Sequence, residues 1–267
     1  MIKISNKYIL YNGDMKTADE FEKIKPVSSK QIYEVIRIIN KKPLFLKEHI
    51  ERLINSVKIT NSKFVITTEI IKNEIEKLVK VNDVIEGNIK IILDNSNRYM
   101  FFIPHSYPSQ DLYINGVKTI LYFGERENPN AKVINDTFRE RVNRKLEESN
   151  SYEAILVDRN GYITEGSRSN IFMVIDGKIV TSPGNKVLPG ITRMKIIQCC
   201  NELGLEIEEK ELNYKQLDKI EGAFISGTSP KVLPIKSIDE LKINSQKNKI
   251  INDIKNKFDE LIKKDIS

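Results

Sequence analysis

The stretch YEAILVDRNGYITEGSRSNIFMVIDGKIVTSP, residues 152–183, decides the fold class. Its apolar runs AILVD, YIT, IFMVI and KIVTS are separated by Asn160-Gly161 and Asp176-Gly177, dipeptides that accept the left-handed backbone of a hairpin turn. An antiparallel meander is the expectation. Within it, ITEGSRSNIF (163–172) sets Glu165 and a small polar turn between two apolar segments. A carboxylate between core strands has lost much of its hydration, so it stays ionised only beside a cationic or proton-donating partner. That partner is a side chain such as Arg168 or a bound ligand, and a strand-end Glu that merely caps a turn fits the same pattern.

Beyond the meander, LPGITRMKIIQCCNELGLEIEEKEL (188–212) reads as turn, helix, stop and strand, with Gly190 at the opening and Gly204 at the left-handed stop. AFISGT and VLPIKSI add two strands. The tail NKIINDIKNKFDELIKK repeats Ile250, Ile251, Ile254, Phe258, Leu261 and Ile262 at helical spacing. Ahead of the meander lie strands in LYING-VKTILYF and a polar helix in DTFRERVNRKLEES. HSYPSQDLYING, with Pro108, reads as a link between a domain at 1–108 and another at 109–267. The first domain opens with strand, Asn12-Gly13 turn and strand, then the β-rich IYEVIRIIN and a Lys41-Lys42-Pro43 turn. In the helix LKEHIERLINSVKIT, Leu46, Ile50, Leu53, Ile54 and Val57 form the apolar stripe, which leaves His49, Arg52 and Ser56 on or beside the other face. The helix TTEIIKNEIEKLVKV and the strand pair NIKIILD and YMFFIP complete that domain.

The 267 residues, 40% hydrophobic and 30% charged, suit a globular protein of two ordinary domains. No window approaches the apolar run of a membrane helix, and MIKISNKYILYNGD reaches Asn12-Gly13 before a signal-type segment develops, so a cytoplasmic protein with no membrane partner is expected. The net charge of +6 raises the question of nucleic acid. Its lysines are scattered among glutamates, as in EIEKLVK, IEEKELNYK and FDELIKK, with no basic stripe interleaved with aromatics, so no nucleic-acid partner is expected. Cys199 and Cys200 are adjacent in an apolar stretch, without disulfide or metal spacing, and read as core thiols.

Three features suit an anion. GITR puts Gly190, Ile191 and Thr192 at a helix start, where unpaired N–H groups and the helix dipole favour a phosphate. Ser226-Gly227-Thr228-Ser229 follows an apolar run and turns its N–H groups outward from a sheet end. Arg52 offers a planar bidentate cation. Lys132, in NPNAKVIND, is flanked by Ala131, Val133 and Ile134, which desolvate it and favour the neutral amine that a nucleophilic lysine requires.

The ordered array IYEVIRI, KEHIERLINSVK, AKVIND, YEAILVDRNGYITEGSRSNIFMVIDGKIVTSP, VLPGITR, then ISGTS with VLPI, resembles the class IV, fold type IV pyridoxal-phosphate enzymes. These include branched-chain and D-amino-acid aminotransferases and aminodeoxychorismate lyase. The resemblance runs from about residue 8 to about residue 238 and implies a two-domain α+β or α/β fold, with a small N-terminal α/β sandwich and a larger C-terminal pseudo-barrel domain. It implies pyridoxal 5'-phosphate as cofactor, with Lys132 as the catalytic lysine that anchors it and moves protons, and Asn135 three positions on. Glu165 matches the carboxylate that holds the pyridine nitrogen. Arg52, Ile191, Thr192 and Thr228 match the phosphate cup, and Leu188 the apolar residue beneath the ring. A homodimer acting on a small amino acid and a 2-oxo acid is implied.

The pattern breaks where substrate is recognised. In place of the relatives' Gly-Asp-Gly type loop stands KIKPVSSKQIYE, which makes Ser28, Ser29 and above all Tyr33 the candidate wall residues. Where relatives carry Arg-Gly, Asp94-Asn95 stands, with Arg98 and His105 as the cations that could compensate. Thr137 replaces the tyrosine that branched-chain enzymes carry five positions after the lysine, which weakens a branched-chain specificity. The expected activity is an aminotransferase. Alternatives are a lyase releasing pyruvate from aminodeoxychorismate to leave 4-aminobenzoate, and a non-catalytic descendant that only binds a ligand.

Overall fold

The structure is a computed structural model that describes residues 2–27, 31–62, 64, 66–126, 129–132 and 136–267. Ser28, Ser29, Val133, Ile134 and Asn135 lie outside the described residues. The chain divides into two compact units, one of Met1–Ser106, Ala131–Asn135 and Ile262–Ser267, the other of Tyr107–Asn130 and Asp136–Leu261.

In the first unit, β1 (Tyr8–Tyr11), β2 (Asp14–Thr17), β3 (Ile32–Ile39), β4 (Lys42–Pro43), β5 (Gly87–Asp94) and β6 (Asn97–Ile103) form an antiparallel sheet in the order β2-β1-β6-β5-β3-β4. A short α1 (Phe21–Ile24) follows β2, and α2 (Leu46–Ile59) and α3 (Thr68–Asn82) connect β4 to β5. Side chains alternate across a strand, so Ile32, Ile36 and Ile38 share one face of β3. That face packs on Ile50, Leu53 and Val57 of α2 and Ile71, Ile75 and Leu78 of α3. The opposite face carries Ile92, Tyr99 and Phe101 with Ile9, Phe21 and Tyr33. The turn after β3 falls one residue earlier than the sequence suggests: Asn40 and Lys41 take φ of 51° and 64°, while Lys42 and Pro43 pair back on β3. Proline at the end of a two-residue edge strand costs no ladder bond, which is why it is tolerated there.

In the second unit, α4 (Gln110–Asn115) opens the chain, so the LYIN segment expected as strand is the end of a helix stopped by Gly116 at φ +73°. Strands β7 (Val117–Phe123), β8 (Glu153–Val157), β9 (Tyr162–Gly166), β10 (Asn170–Ile175), β11 (Lys178–Thr181), β12 (Ile207–Glu209), β13 (Leu212–Asn213), β14 (Gly222–Gly227) and β15 (Lys231–Ile238) run in the order β12-β11-β10-β14-β15-β7-β8-β9-β13. A tenth, β16 (Leu241–Lys242), pairs with β15. Helices α5 (Asp136–Ser149) and α6 (Ile191–Glu202) follow β7 and β11, and α7 (Lys249–Asp265) ends the sequence. Gly204 takes φ +68° at the foot of α6, as its stop position requires. Cys199 and Cys200 are buried free thiols, and burial pushes them up to about 11 and about 12, far from reactivity.

The expected meander is two separate hairpins. β8 pairs with β9 and β10 with β11, but β14, β15 and β7 stand between β10 and β8 in the sheet. The Ser167–Ser169 turn therefore crosses from one hairpin to the other instead of closing a ladder. The reason lies in β10, whose other edge is taken by β14 in a register that stacks Phe172 on Phe224 at 4.9 Å between ring centroids and 5° between planes. Among the described residues, no helix is long and apolar enough to cross a membrane. Phe224→Ala is expected to cost about 3–5 kcal/mol by emptying a fully buried site. A urea titration that leaves the unfolding midpoint unmoved would refute the stack as a core contact.

Candidate active site

In the first unit, Glu34 stands on the core-facing side of β3, among isoleucines, with 1% of its surface exposed. Arg52 of α2 donates to it from Nε at 2.7 Å and from Nη2 at 2.7 Å, and His49, one turn back, places Nδ1 2.9 Å from the same carboxylate. His49, Arg52 and Ser56, read from the sequence as lying on or beside the face away from the apolar stripe, are all buried, and Glu34 supplies His49 and Arg52 with a polar partner within the core. Burial works to raise the Glu34 carboxyl, but the Arg52 charge, the His49 bond and the nearby charge of Lys132 outweigh it and hold the group well below the usual carboxylate range. His49 is pushed the other way, below its ordinary value, by burial that its bond to Glu34 only partly offsets.

Lys132 joins this cluster through Tyr33. Its carbonyl accepts the Tyr33 N–H at 3.0 Å, and its Nζ lies 5.2 Å from the Tyr33 ring centroid, within reach of a cation–π contact. Lys90 of β5 puts its own Nζ 5.2 Å from the same ring. Tyr33, Arg52 and Lys132 are thus brought together, with His49 beside Arg52, and with Glu34 and Lys90 as neighbours that sequence reading did not single out.

In the second unit, Glu165 at the end of β9 is 4% exposed. It meets the Leu188 N–H at 3.2 Å and Arg126 Nη1 at 3.3 Å. Arg126, not Arg168, is its cationic side-chain neighbour; the Arg168 guanidinium instead bonds Asn143 at 3.1 Å. Burial raises the Glu165 carboxyl, with Arg126 and the Leu188 N–H pulling it back down. A second buried carboxylate, Glu153 of β8, holds the turn that follows: it accepts from Ser167 Oγ at 2.6 Å, Arg168 N at 3.2 Å, Ser169 Oγ at 2.9 Å and Ala154 N at 2.9 Å. A side chain at Gly166 would overlap Ser169 Oγ and press on Glu153, so the close packing of this turn demands glycine.

The remaining predicted residues, Leu188, Ile191, Thr192 and Thr228, lie at turns and at a helix start of the second unit. Asn170 Nδ2 donates to the Leu188 carbonyl at 3.0 Å and Asn170 pairs with Ser226 across β14, two residues before Thr228. Ile191 and Thr192 begin α6 after Gly190, which offers no side-chain cap, so the first-turn N–H groups have no partner within the helix. Ser226 Oγ is buried with no hydrogen-bond partner among the described residues. Of the substrate-side expectations, Arg98 is committed to Glu74 of α3 at 2.8 Å and 2.5 Å, Asp94 accepts the Val27 N–H at 2.7 Å, and His105 and Thr137 are exposed.

Residues 31–238 match the family model described as amino-transferase class IV. The chain belongs to the class IV aminotransferases. This aminotransferase is 31% identical over 230 residues to the D-alanine aminotransferase of Bacillus licheniformis, covering 80% of this chain and 81% of that one. The branched-chain amino acid aminotransferase of Escherichia coli superposes with a TM-score of 0.86 at 24% identity, over 97% of this chain and 95% of that one. The T.th. branched-chain amino acid aminotransferase with pyridoxamine 5'-phosphate gives 0.85 at 23%, over 97% and 95%. Both have the fold type IV architecture expected from the sequence. Class IV aminotransferases use pyridoxal phosphate, and the donors in the second unit suit its chemistry: uncapped N–H groups at α6 and the Thr192 hydroxyl for a phosphate, and a desolvated Glu165 for a protonated ring nitrogen.

Two outcomes follow from the second unit. Gly166→Ala is expected to lose about 1–3 kcal/mol through overpacking against Ser169 and Glu153, measurable by chemical denaturation. The Glu165 carboxyl is raised above its ordinary 4.5, so its favourable contribution is fully present below that value and lost as pH rises through the folded one. Cofactor-free Glu165→Gln should therefore melt higher than the wild type at neutral pH, the gap closing in acid; a glutamine variant that melts lower at neutral pH contradicts the assignment.

Proposed function

We propose that this aminotransferase moves an amino group between a small amino acid and a 2-oxo acid, with Lys132 as its catalytic residue and Arg52, Glu165, Leu188, Ile191, Thr192 and Thr228 as its cofactor-binding residues. The observation that carries the reading is Glu165, buried at a strand end between a backbone N–H and an arginine, the setting in which a carboxylate gains most from a cationic ligand. The motif-by-motif resemblance supports the remaining roles. Tyr33, beside Lys132, is proposed as a wall of the substrate pocket. We infer in the same way that the protein is cytoplasmic and homodimeric.

When bound, pyridoxal phosphate supplies the carbonyl carbon that takes up an amine and a ring that accepts electron density from the substrate Cα. Lys132 contributes the amine that holds the cofactor and the base that carries the Cα proton, two tasks that one flexible side chain performs in turn. Glu165, its carboxylate held by the Leu188 N–H at 3.2 Å, would favour a proton on the ring nitrogen. The first turn of α6 would offer a phosphate aligned N–H groups, and the resemblance assigns Arg52 the planar fork. Leu188 would supply the apolar contact beneath the ring that the resemblance implies.

The test is a visible absorption spectrum of the protein soaked with pyridoxal phosphate, beside Lys132→Ala, followed by a panel of L- and D-amino acids. A band in the wild type alone, bleached by particular amino acids, is the expected result and identifies the donor. A Lys132-dependent band that no amino acid changes points to the lyase, and no band in the wild type overturns both enzyme readings. Light scattering on the eluted protein tests the dimer.

A further inference from the structure

The first unit buries a carboxylate that the transfer reaction does not call for. Glu34 occupies a β3 position whose neighbours on the same face, Ile32, Ile36 and Ile38, are all apolar core residues. Placing a carboxylate and a guanidinium there carries a desolvation cost that a leucine would not incur, so stability alone does not account for the pair. Geometry does. Arg52 uses Nε and Nη2 on the two oxygens of one carboxylate, which fixes the plane of the guanidinium and turns its other edge away from Glu34. His49 bonds the same carboxylate at 2.9 Å and, held neutral by burial, must carry its proton on Nδ1 to donate there. The next residue back, Tyr33, ties down Lys132 by its N–H and seats the Lys132 ammonium over its ring.

We propose that Glu34 is a positioning residue with two outputs: it aims the Arg52 guanidinium and it sets the charge balance around Lys132. This rests on the roles of Arg52 and Lys132 proposed above. The charged and titratable groups that surround it are Arg52 and His49 from α2 and Lys132, with Lys90 of β5 on the far end of the same Tyr33 contact. Lys132 helps hold Glu34 ionised, and the interaction is reciprocal, so Glu34 favours a protonated Lys132. Removing the Glu34 charge leaves Arg52 uncompensated beside Lys132 and lowers the lysine's hold on a proton.

The experiment compares wild type, Glu34→Gln and Glu34→Asp as purified full-length protein, with two readouts apart from turnover: the dissociation constant for pyridoxal phosphate by equilibrium dialysis, and the pH midpoint of the visible band of the loaded protein. For Glu34→Gln the expectation is a dissociation constant about tenfold weaker and a midpoint lower by about one pH unit. Glu34→Asp keeps the charge but loses reach, so its midpoint should return toward wild type while its affinity stays reduced. That split is one a merely structural role would not produce. A folded Glu34→Gln with both values unchanged overturns the proposal. Should the glutamine variant fail to fold, Glu34→Asp decides, and wild-type affinity in it counts against the proposal. A wild type that takes up no cofactor would instead overturn the functional reading.

Discussion

A carboxylate removed from water must be matched by donors or cations, and three of them organise this molecule. Glu34 is met by a guanidinium fork and an imidazole, Glu153 by two hydroxyls and two backbone N–H groups, and Glu165 by one backbone N–H and an arginine. The first two are saturated and act as fixed posts. Glu165 has the sparser set, and its raised proton affinity records that deficit. A group left short of partners by its own chain is the one with most to gain from a ligand.

Glu153 pins the Ser167–Ser169 turn directly after Glu165, so a bend that crosses between two hairpins is held by side chains where no ladder can hold it. Arg139 of α5 adds a bond to the Ser167 carbonyl at 2.8 Å, tying the turn to a helix as well. Rigid support of this kind lets a side chain such as Glu165 sit at a strand end without the positional spread of a loop.

Much of this was legible in the sequence. The Asn-Gly and Asp-Gly turns, the α5 and α6 boundaries and the αL stop at Gly204 follow from local chemistry, and local chemistry survives packing. What escaped was set by distant partners. Nothing near Arg168 says that its guanidinium goes to Asn143, or that Arg126 from a preceding loop will stand by Glu165. Arg98, read as a cation that could compensate on the substrate side, is taken by Glu74 of α3. The buried polar faces of α2 were recoverable: period-two alternation puts Glu34 in phase with Ile32 and Ile36, and a charge on the core side of a strand asks for its counterpart on the helix above.

The composition of the first unit bears on how the chain acquires its fold. Most of that unit is synthesised first, but its remaining pieces are Ala131–Asn135 and Ile262–Ser267. The Phe45 N–H is bonded to the Asp265 carboxylate at 2.7 Å, and Lys42 bonds the carbonyl of Ser267. Domains commonly fold as they leave the ribosome, N-terminal one first. Here the N-terminal sheet and its helices can collapse early, but the first unit becomes whole only once Ile262–Ser267 has been made, so the tie from Phe45 to Asp265 forms after the residues of the second unit have been synthesised.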